Sequence, residues 1–259
     1  MIDSRTELQE LRNVYTNCLA GEKKKILICA GTGCISSGSL EIYEKLREIM
    51  RRRGINVEAE LAEEPHDDSV GIKKSGCHGF CEMGPLVRIE PQGWLYVKVK
   101  EEDCEEIVEK TIVCGEHIAR LAYGKDGEIF KKQSEIPFYK KQTRRVLEHC
   151  GHIDATSIKE YLGIGGYSAF EKALFDMTGE EIVGEIEASN LRGRGGGGFP
   201  TGKKWRQVKR QNAEHKYVVC NGDEGDPGAF MDRSIMEGDP HRMLEGMMIA
   251  GIACGAEDG

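Results

Sequence analysis

Hydrophobic and polar positions follow helical and strand-like periods in turn along the first half of the chain, which predicts a mixed α/β domain. Residues 5–20 have a helical pattern, and the apolar run Lys25–Cys29 (KILIC) is typical of a buried strand. Residues 39–53 place apolar side chains on one helix face and charged side chains on the other. Gly54 is expected to end that helix.

Three further strands and one helix complete this pattern. Residues 55–61 (INVEAEL) alternate as a strand does, and residues 86–90 and 94–99 predict a hairpin across a PQG turn. A last helix is expected at residues 101–111. The order β-α-β-β-β-α, with a parallel first βαβ unit, is that of a small thioredoxin-like domain.

The second half of the chain begins with a change in composition. Residues 124–150 are polar and basic, with little apolar repetition, and predict a linker that docks on a partner surface. Beyond them, capping boxes that begin at Ser157 and Thr178 predict two helices. The Asp-Pro pair at 239–240 predicts a last helix that runs to about Cys254.

Length and charge narrow the functional classes. The chain has 259 residues, enough for about two domains, and its net charge of −8 argues against general nucleic-acid binding. No apolar run approaches the roughly 18 residues of a membrane-spanning helix, and the charged N-terminus is unlike a secretory signal. We therefore expect a soluble, cytoplasmic protein without membrane insertion. Ten cysteines in a reducing compartment point to metal or redox chemistry.

Four of the cysteines fall in two pairs, Cys29-x4-Cys34 and Cys77-x3-Cys81. Each pair lies among glycines, which let the backbone wrap closely around a small group. In a thioredoxin-like fold, the two loops lie at the same end of the sheet. Four thiolates on two facing loops suit an iron–sulfur cluster or a structural zinc ion.

The spacing favours the iron–sulfur cluster over the alternatives. Zinc is the second interpretation, which C-x2-C spacings would favour more, and four unrelated cysteines are the third. His78 lies inside the second pair and is interpreted as a loop residue rather than a ligand. The other six cysteines are interpreted as buried or partly buried free thiols, of which Cys220 has the most interesting neighbours.

Glycine is abundant, with 33 residues where average usage gives roughly 18, and many of these lie in one segment, LRGRGGGGFPTGKKW. Gly193, Gly195 and Gly198 match G-x-G-x-x-G, but the preceding residues look helical and the motif should follow a strand. The P-loop pattern also fails, because Lys204 stands where serine or threonine should be.

The physical basis of both motifs still applies to this segment. Successive glycines expose backbone N–H groups that form an anion-binding concavity, and Arg194, Lys203 and Lys204 add positive charge. These features predict a flat, phosphate-bearing cofactor such as a flavin or a dinucleotide. The alternative is a flexible glycine linker, against which Phe199 and Trp205 argue.

An acidic loop follows a predicted strand at residues 216–220 (KYVVC). It carries Asn221, Asp223, Glu224 and Asp226, which are suited to accept hydrogen bonds from sugar hydroxyls or from a ring imide. The same loop would also suit a surface turn or a divalent cation. Together with the glycine segment, it predicts a cofactor site.

These segments resemble a known family. LRGRGGGGFPTGKKW followed by VVCNGDEGDPGAFMDRSIMEGDPHRMLEGMMIAG is similar to the flavoprotein subunit of NADH dehydrogenases related to respiratory complex I. The four paired cysteines resemble those of the thioredoxin-like [2Fe-2S] ferredoxin domain that is fused to this subunit in cytoplasmic relatives. The nearest of these relatives is the beta subunit of electron-bifurcating [FeFe]-hydrogenases.

The resemblance implies a domain plan for the α/β chain. A thioredoxin-like [2Fe-2S] ferredoxin domain would occupy residues 1–123, a helical linker or docking segment residues 124–150, and the first part of an α/β FMN-binding domain residues 151–259. Family members continue beyond this point with the rest of the nucleotide site and a [4Fe-4S] cluster. We therefore expect either a truncated chain or a second polypeptide that completes the site.

The resemblance also implies the chemistry, in which NADH gives a hydride to FMN and single electrons pass on to iron–sulfur clusters. No side chain needs to act as an acid or a base. Asp226 stands where complex I relatives usually carry glutamate. The implied site residues are Cys29, Cys34, Cys77 and Cys81 for the [2Fe-2S] cluster, Gly193, Arg194, Gly195, Gly196, Lys204, Asn221, Asp223 and Glu224 for FMN, and Phe199 and Asp226 for NADH.

We therefore expect an NADH dehydrogenase-type oxidoreductase subunit that is active within a complex, in a family that includes electron-bifurcating hydrogenases. Its partners would be a hydrogenase-like catalytic subunit and a small ferredoxin-like subunit. One alternative is an electron-transfer or docking module whose flavin site is supplied or completed by another chain. The other is a zinc-stabilised interaction protein.

Overall fold

The structure is a computed structural model that describes residues 3–61 and 68–259. The chain forms two compact units, which cut across the boundaries at residues 123 and 150 predicted from the sequence. The cysteine unit contains Leu11–Ile164 and Glu224–Pro240, and the glycine-loop unit contains Met1–Glu10, Gly165–Asp223 and His241–Gly259.

Helices, short strands and 3-10 turns make up the regular structure. The helices are α1 (Arg5–Gly21), α2 (Thr32–Ile35), α3 (Ser39–Arg52), α4 (Cys104–Glu106), α5 (Pro137–Lys140), α6 (Ile158–Gly163), α7 (Ser168–Asp176), α8 (Gly179–Ala188), α9 (Thr201–Lys209), α10 (Met231–Gly238) and α11 (Pro240–Cys254). The strands are β1 (Lys25–Cys29), β2 (Val57–Glu58), β3 (Val70–Ser75), β4 (Val87–Glu90), β5 (Trp94–Tyr96), β6 (Tyr123–Lys125) and β7 (Glu128–Phe130). The 3-10 turns are Cys81–Met83, Glu101–Asp103, Ala119–Leu121 and Gln133–Glu135, and Ile107–Val113 is π-helical. Among the helices of the described ranges, none combines the length and hydropathy needed to cross a membrane.

The helices that periodicity and capping predict are present. Gly54, with φ of +72°, follows α3 in the left-handed conformation that ends helices. Ser157 caps α6 by accepting a hydrogen bond from the backbone N–H of Glu160. Thr178 and Glu181 form the reciprocal capping box at the start of α8. The helix predicted at residues 101–111 is present as a 3-10 turn, then α4, then the π-helical stretch.

A five-stranded mixed sheet in the order β2-β3-β1-β4-β5 forms the centre of the cysteine unit. Strands β1, β3 and β2 are parallel, while β4 and β5 form the antiparallel part of the sheet. The parallel βαβ unit is confirmed, but the strand beside β1 is β3 rather than residues 55–61. Only Val57–Glu58 of that segment is paired, at the edge of the sheet. The sequence VGIKKS of β3 hides the strand, because its two lysines interrupt the apolar pattern.

The core of this unit lies between α3 and the sheet. The amphipathic pattern of residues 39–53 therefore identified the buried face of the helix correctly. The side chains that share this core include Ile42, Leu46, Ile49 and Met50 of α3 and Ile26, Ile28, Ile72, Val87 and Ile89 of the sheet.

The polar segment 124–150 packs on the same unit, whereas the sequence predicts a linker that docks on a partner. Its strands β6 and β7 form a hairpin, and Lys132 bridges to Trp94 in β5. Ile136 and Tyr139 are buried in a cluster with apolar residues of the sheet. These two buried side chains, three residues apart, contribute to holding the segment on the sheet.

A buried ion-pair cluster joins β3 to the helices. The side chain of Lys73 is fully buried, with Nζ 2.5 Å from Oε1 of Glu160 and in contact with Glu22. The two carboxylates are 1% and 2% exposed, and Lys25 contacts Glu22 at 2.9 Å. Because charges this deep are tolerated only when they are paired, the cluster fixes α6 and the end of α1 against the sheet.

The glycine-loop unit, as far as the structure describes it, is helical. Its core is formed by Ala173, Ile182, Val183 and Ala253, with Trp205 packed beside them. The buried carboxylate of Glu245 accepts hydrogen bonds from the backbone N–H groups of Tyr167 and Phe170 at 2.9 and 3.0 Å. Glu245 thereby holds α11 against the start of α7.

The strand predicted at residues 216–220 is not formed. Within the described residues, this segment makes a single bridge, between Tyr217 and Asp258. Val219 is 81% exposed. The β-branched sequence favours a strand, but without a neighbouring strand its backbone groups have no ladder to join.

Lys73→Met tests the buried ion-pair cluster. We expect it to lower the free energy of unfolding of the cysteine unit by about 3–5 kcal/mol, because it removes the cation that Glu160 contacts and leaves the buried Glu22 with Lys25 alone. Adding Glu160→Gln should recover part of the loss. The measurement is urea unfolding followed by circular dichroism, with equal cofactor loading in all samples. Lys74→Met is the matched control, since Lys74 is the exposed neighbour on the same strand; an equal loss in both variants would contradict this role.

Candidate cofactor-binding sites

The four paired cysteines meet at one edge of the sheet. Cys29 ends β1, and Cys77 follows β3, whose last residue is paired with Cys29 in the parallel register. Cys34 lies in the short helix α2, and Cys81 begins a 3-10 turn. The Cys29 thiol interacts with those of Cys34 and Cys77, and the sulfurs of Cys77 and Cys81 are 3.7 Å apart. The structure thus brings together the four residues that the sequence singles out.

Glycine makes this approach possible. A Cβ atom at Gly31 would lie 2.7 Å from the Cβ of Cys77, and one at Gly84 would lie 2.7 Å from the sulfur of Cys34. Both distances are well below van der Waals contact, so a side chain at either position would push the two loops apart. The absence of these side chains lets the loops close around a small group.

Crowding controls the ionisation of the four thiols. Contact with the Cys34 thiol, followed by burial, raises the pKa of Cys29 to about 12. Contact with Cys29, followed by burial, also raises the pKa of Cys77. Burial, with the neighbouring Cys77 and the charge of Glu237 contributing, raises the pKa of Cys81 to about 11. Contact with the Cys29 thiol lowers the pKa of Cys34. Because the pKa values of the other three are raised, a group that binds all four as thiolates has to supply compensating positive charge, as the iron ions of a cluster would.

Contacts link all four thiols of the site. They run from Cys34 through Cys29 and Cys77 to Cys81. Four cysteine thiolates are a donor set for a [2Fe-2S] cluster and also for a structural zinc ion.

His78 is a buried residue of the second cysteine loop. Its Nε2 lies 2.9 Å from the hydroxyl of Ser75 at the end of β3. Burial lowers the pKa of His78 to about 3, so the ring is neutral. The backbone N–H that follows it, on Gly79, donates to the Cys77 sulfur at 3.3 Å.

Three residues of segment 124–150 contact the second cysteine loop, a role that the composition of the segment does not suggest. The hydroxyl of Tyr139 donates to the carbonyl of His78 at 3.2 Å, and the Arg144 guanidinium donates to the same carbonyl at 2.9 Å. Phe138 stacks on Phe80 of that loop, with ring centroids 4.8 Å apart. The two adjacent aromatic residues in IPFYKK are the sequence feature that could have indicated this packing.

The glycine segment forms a closed, exposed loop between α8 and α9. Arg192 bridges to Pro200, and the N–H of Gly193 donates to the carbonyl of Phe199 at 2.9 Å. Gly196 and Gly198 have φ of +94° and +57°, which other residues rarely adopt. The helical context confirms that neither nucleotide motif holds here. The candidate residues Gly193, Arg194, Gly195, Gly196, Phe199 and Lys204 are all exposed.

Some cationic side chains around this loop are engaged in ion pairs, and others are exposed. Arg206 is engaged by Glu187, with Nε–Oε1 at 2.7 Å, and also contacts Glu180. Lys203 and Lys204 lie exposed on the first turn of α9. The accessible cations and backbone donors match the chemistry of a phosphate group.

The acidic loop is divided between the two units. Asn221 and Asp223 belong to the glycine-loop unit, where Oδ1 of Asn221 accepts a hydrogen bond from the backbone N–H of Asp223 at 2.8 Å. Glu224 and Asp226 belong to the cysteine unit. Oε1 of Glu224 accepts a hydrogen bond from the backbone N–H of Arg233 at 3.0 Å, at the start of α10. Glu224 thus has one carboxylate oxygen engaged at the start of α10.

Gly31→Ala tests the close approach of the cysteine loops. The added Cβ would meet Cys77, so we expect a severalfold lower iron content per chain after anaerobic reconstitution. Iron and acid-labile sulfide assays measure the effect. Gly124→Ala is the control, because the nearest atom to its added Cβ is 3.8 Å away. Normal iron content in Gly31→Ala would show that the loops have room to spare.

Comparison with known families gives two matches that divide the chain. Residues 5–112 match the thioredoxin-like [2Fe-2S] ferredoxin family. Residues 186–259 match the Nuo51 FMN-binding domain. These matches confirm the resemblance and the two resident cofactors that the sequence predicts.

Individual relatives agree with the family matches. The chain is 51% identical over 120 residues to the NADP-reducing hydrogenase subunit HndC of Solidesulfovibrio fructosivorans. The aligned region covers 46% of this chain and 24% of the relative. It is 54% identical over 102 residues to an NADH-quinone oxidoreductase subunit of Aquifex aeolicus, covering 39% of this chain and 24% of the relative. The matched region thus spans about a quarter of these relatives.

A solved structure also matches the first part of the chain. The thioredoxin-like [2Fe-2S] ferredoxin of Aquifex aeolicus is 30% identical, with a TM-score of 0.32, covering 40% of this chain and 99% of that protein. The two family matches thus make residues 5–112 similar to the thioredoxin-like [2Fe-2S] ferredoxin family and residues 186–259 similar to the Nuo51 FMN-binding domain family.

Proposed function

We propose that this chain is a redox subunit of an NADH-linked oxidoreductase of the hydrogenase or complex I type. One observation carries the proposal: four thiols in mutual contact lie in a chain that also matches an FMN-binding domain. A one-electron group and a two-electron group on a single chain are the parts required to convert hydride transfer into single-electron transfer.

The cysteine site is proposed to hold the [2Fe-2S] cluster through Cys29, Cys34, Cys77 and Cys81. When bound, the cluster supplies one-electron chemistry. The two loops position the thiolates, and the N–H of Gly79 donates to the Cys77 sulfur. Such donors stabilise the negative charge of a cluster and help to set its potential.

The flavin site is proposed to use backbone donors for the phosphate and polar side chains for the ring. Bound FMN supplies hydride acceptance and the release of single electrons. By the family resemblance, the glycine loop with Arg194 and Lys204 would hold the phosphate, while Asn221, Asp223 and Glu224 would hold the flavin's polar edges. Phe199 and Asp226 would contact NADH.

The proposal extends to location and partners. We place the protein in the cytoplasm, active within a complex that includes a hydrogenase-like catalytic subunit and a small ferredoxin-like subunit. Relatives named as subunits of a hydrogenase and of an NADH-quinone oxidoreductase support a multi-subunit setting. Electron bifurcation would be a property of that assembly.

One observation favours a second function, in which the chain is an electron-transfer module whose flavin site is completed elsewhere. The candidate FMN residues of the glycine loop are exposed, and Val219 beside the acidic loop is 81% exposed. A site this open encloses little of a flavin, whereas cofactor sites usually bury most of their ligand.

Counting cofactors on the purified chain separates these functions. We would record an anaerobic absorption spectrum and assay iron, sulfide and flavin on the same sample. Two irons, two sulfides and one flavin per chain would support the redox subunit, and reduction of that flavin by NADH would establish its substrate. A cluster without flavin would favour the electron-transfer module. Zinc without sulfide would contradict both.

Cys77→Ser tests the ligand assignment. We expect loss of most iron and sulfide, because a serine hydroxyl is a poor replacement for a thiolate ligand of iron. Cys114→Ser is the matched control, since Cys114 is an exposed thiol outside the two pairs. Equal iron content in the two variants would refute the assigned role of Cys77.

Lys204→Ala tests the phosphate site. We expect flavin affinity to fall by about tenfold, which corresponds to the loss of one charge-assisted hydrogen bond. Fluorescence titration with FMN measures the dissociation constant. Arg210→Ala, at the other end of α9, removes the same charge from an exposed position. A similar weakening in both variants would indicate a nonspecific effect of net charge.

A further inference from the structure

Helix α10 contacts the loop that carries the first cysteine pair. The hydroxyl of Thr32, midway between Cys29 and Cys34, donates to Oε1 of Glu237 at 2.7 Å. The backbone N–H of Thr32 also points to the other carboxylate oxygen, at 3.4 Å. Both atoms of Thr32 that can donate a hydrogen bond are therefore directed to one side chain of α10.

The same helix also contacts the loop of the second cysteine pair. A Cβ atom at Gly76 would overlap the Cα of Gly238 and lie 2.9 Å from its carbonyl oxygen. A Cβ atom at Gly238 would lie 3.8 Å from the backbone nitrogen of Cys77 and 2.5 Å from the sulfur of Cys150. Two glycines thus permit backbone-to-backbone packing beside the cysteine site.

Arg233 completes the contact and balances its charge. Its Nε donates to Oε1 of Glu237 at 2.7 Å, and its Nη2 contacts the hydroxyl of Thr32. Its backbone N–H donates a hydrogen bond to Oε1 of Glu224. A continuous series of contacts therefore runs from Glu224 through Arg233 to the first cysteine loop.

We infer that α10 caps the cluster site and that the Glu237–Arg233 pair, held on Thr32, sets the reduction potential of the cluster. The inference rests on the proposed function, because it requires the four cysteines to hold a redox cluster. Glu237 and Arg233 are positioning residues: they contact the loop that carries the ligands, and their charges act on the site electrostatically.

The physical reason is the charge that reduction adds. One electron makes the cluster more negative by one unit, and nearby charge and solvent exposure are among the quantities that determine cluster potentials. The Glu237 carboxylate opposes that electron and Arg233 favours it. Glu237 acts electrostatically on Cys81, the most exposed of the four thiols. Two opposite charges on adjacent turns of one helix therefore give two separable effects.

The test uses the complete 259-residue chain with its cluster reconstituted, and EPR-monitored redox titration measures the midpoint potential. We expect Glu237→Gln to raise the potential, making reduction about tenfold more favourable, or about 59 mV for one electron. Arg233→Gln should lower it by a similar factor. Asp232→Asn is the control, because it removes a carboxylate from the same helix and should leave the potential unchanged.

The opposite signs distinguish the inference from simple opening of the cap. If α10 only excluded water, Glu237→Gln and Arg233→Gln would shift the potential in the same direction, which would overturn the inference. So would unchanged potentials in both. In a Thr32→Val background, the shift of the midpoint potential caused by Glu237→Gln should be smaller. In a Thr32→Ser background that shift should be preserved, because serine retains the hydroxyl. A wild-type chain that binds no iron or sulfide would instead refute the proposed function.

Discussion

The close approach of two glycine-lined loops is the constraint on which the cysteine unit depends. Cys29 and Cys77 are distant in sequence, and they meet because β1 and β3 are parallel neighbours that end at one sheet edge. Their loops can close only where Gly31 and Gly84 present no side chain. Sheet order and glycine placement therefore meet one requirement, which is to bring four sulfurs together around a group of fixed size.

Sequence reasoning succeeded where the chemistry leaves a local signal. Cysteine pairs among glycines and the capping box at Thr178 are each readable from a few adjacent residues, and the structure contains them. Strand β3 was missed because its burial depends on partners elsewhere in the chain. From the sequence alone, Lys73 has the character of a surface residue. In the structure, Glu22 and Glu160 from other parts of the chain pair with it. No periodicity records that pairing.

Two segments differ from the structure that their sequences predict, and both differences arise because local sequence does not show which partner surface is available. Residues 216–220 have strand propensity, yet the described residues offer them one bridge and no ladder, so propensity alone produces no strand. Residues 124–150 have the composition of a linker, yet Ile136 and Tyr139 are buried in a cluster with apolar residues of the sheet. In both cases the available partner surface outweighed the average character of the segment. The binding of FMN and NADH by residues of the glycine and acidic loops stays a prediction, because it rests on resemblance.

Helix α10 shows that residues matched to one domain can serve the other. Its sequence lies within the stretch that matches the FMN-binding domain, yet it packs on both cysteine loops. Glu224, a candidate flavin ligand, holds the N-terminus of the helix, while Glu237 near its other end holds Thr32. Eight residues of helix span roughly 12 Å, so a group bound at Glu224 and one bound at the cysteines would be linked by a single rigid element. The same helix therefore contacts both a residue that the resemblance assigns to the flavin and the loop that carries the first cysteine pair.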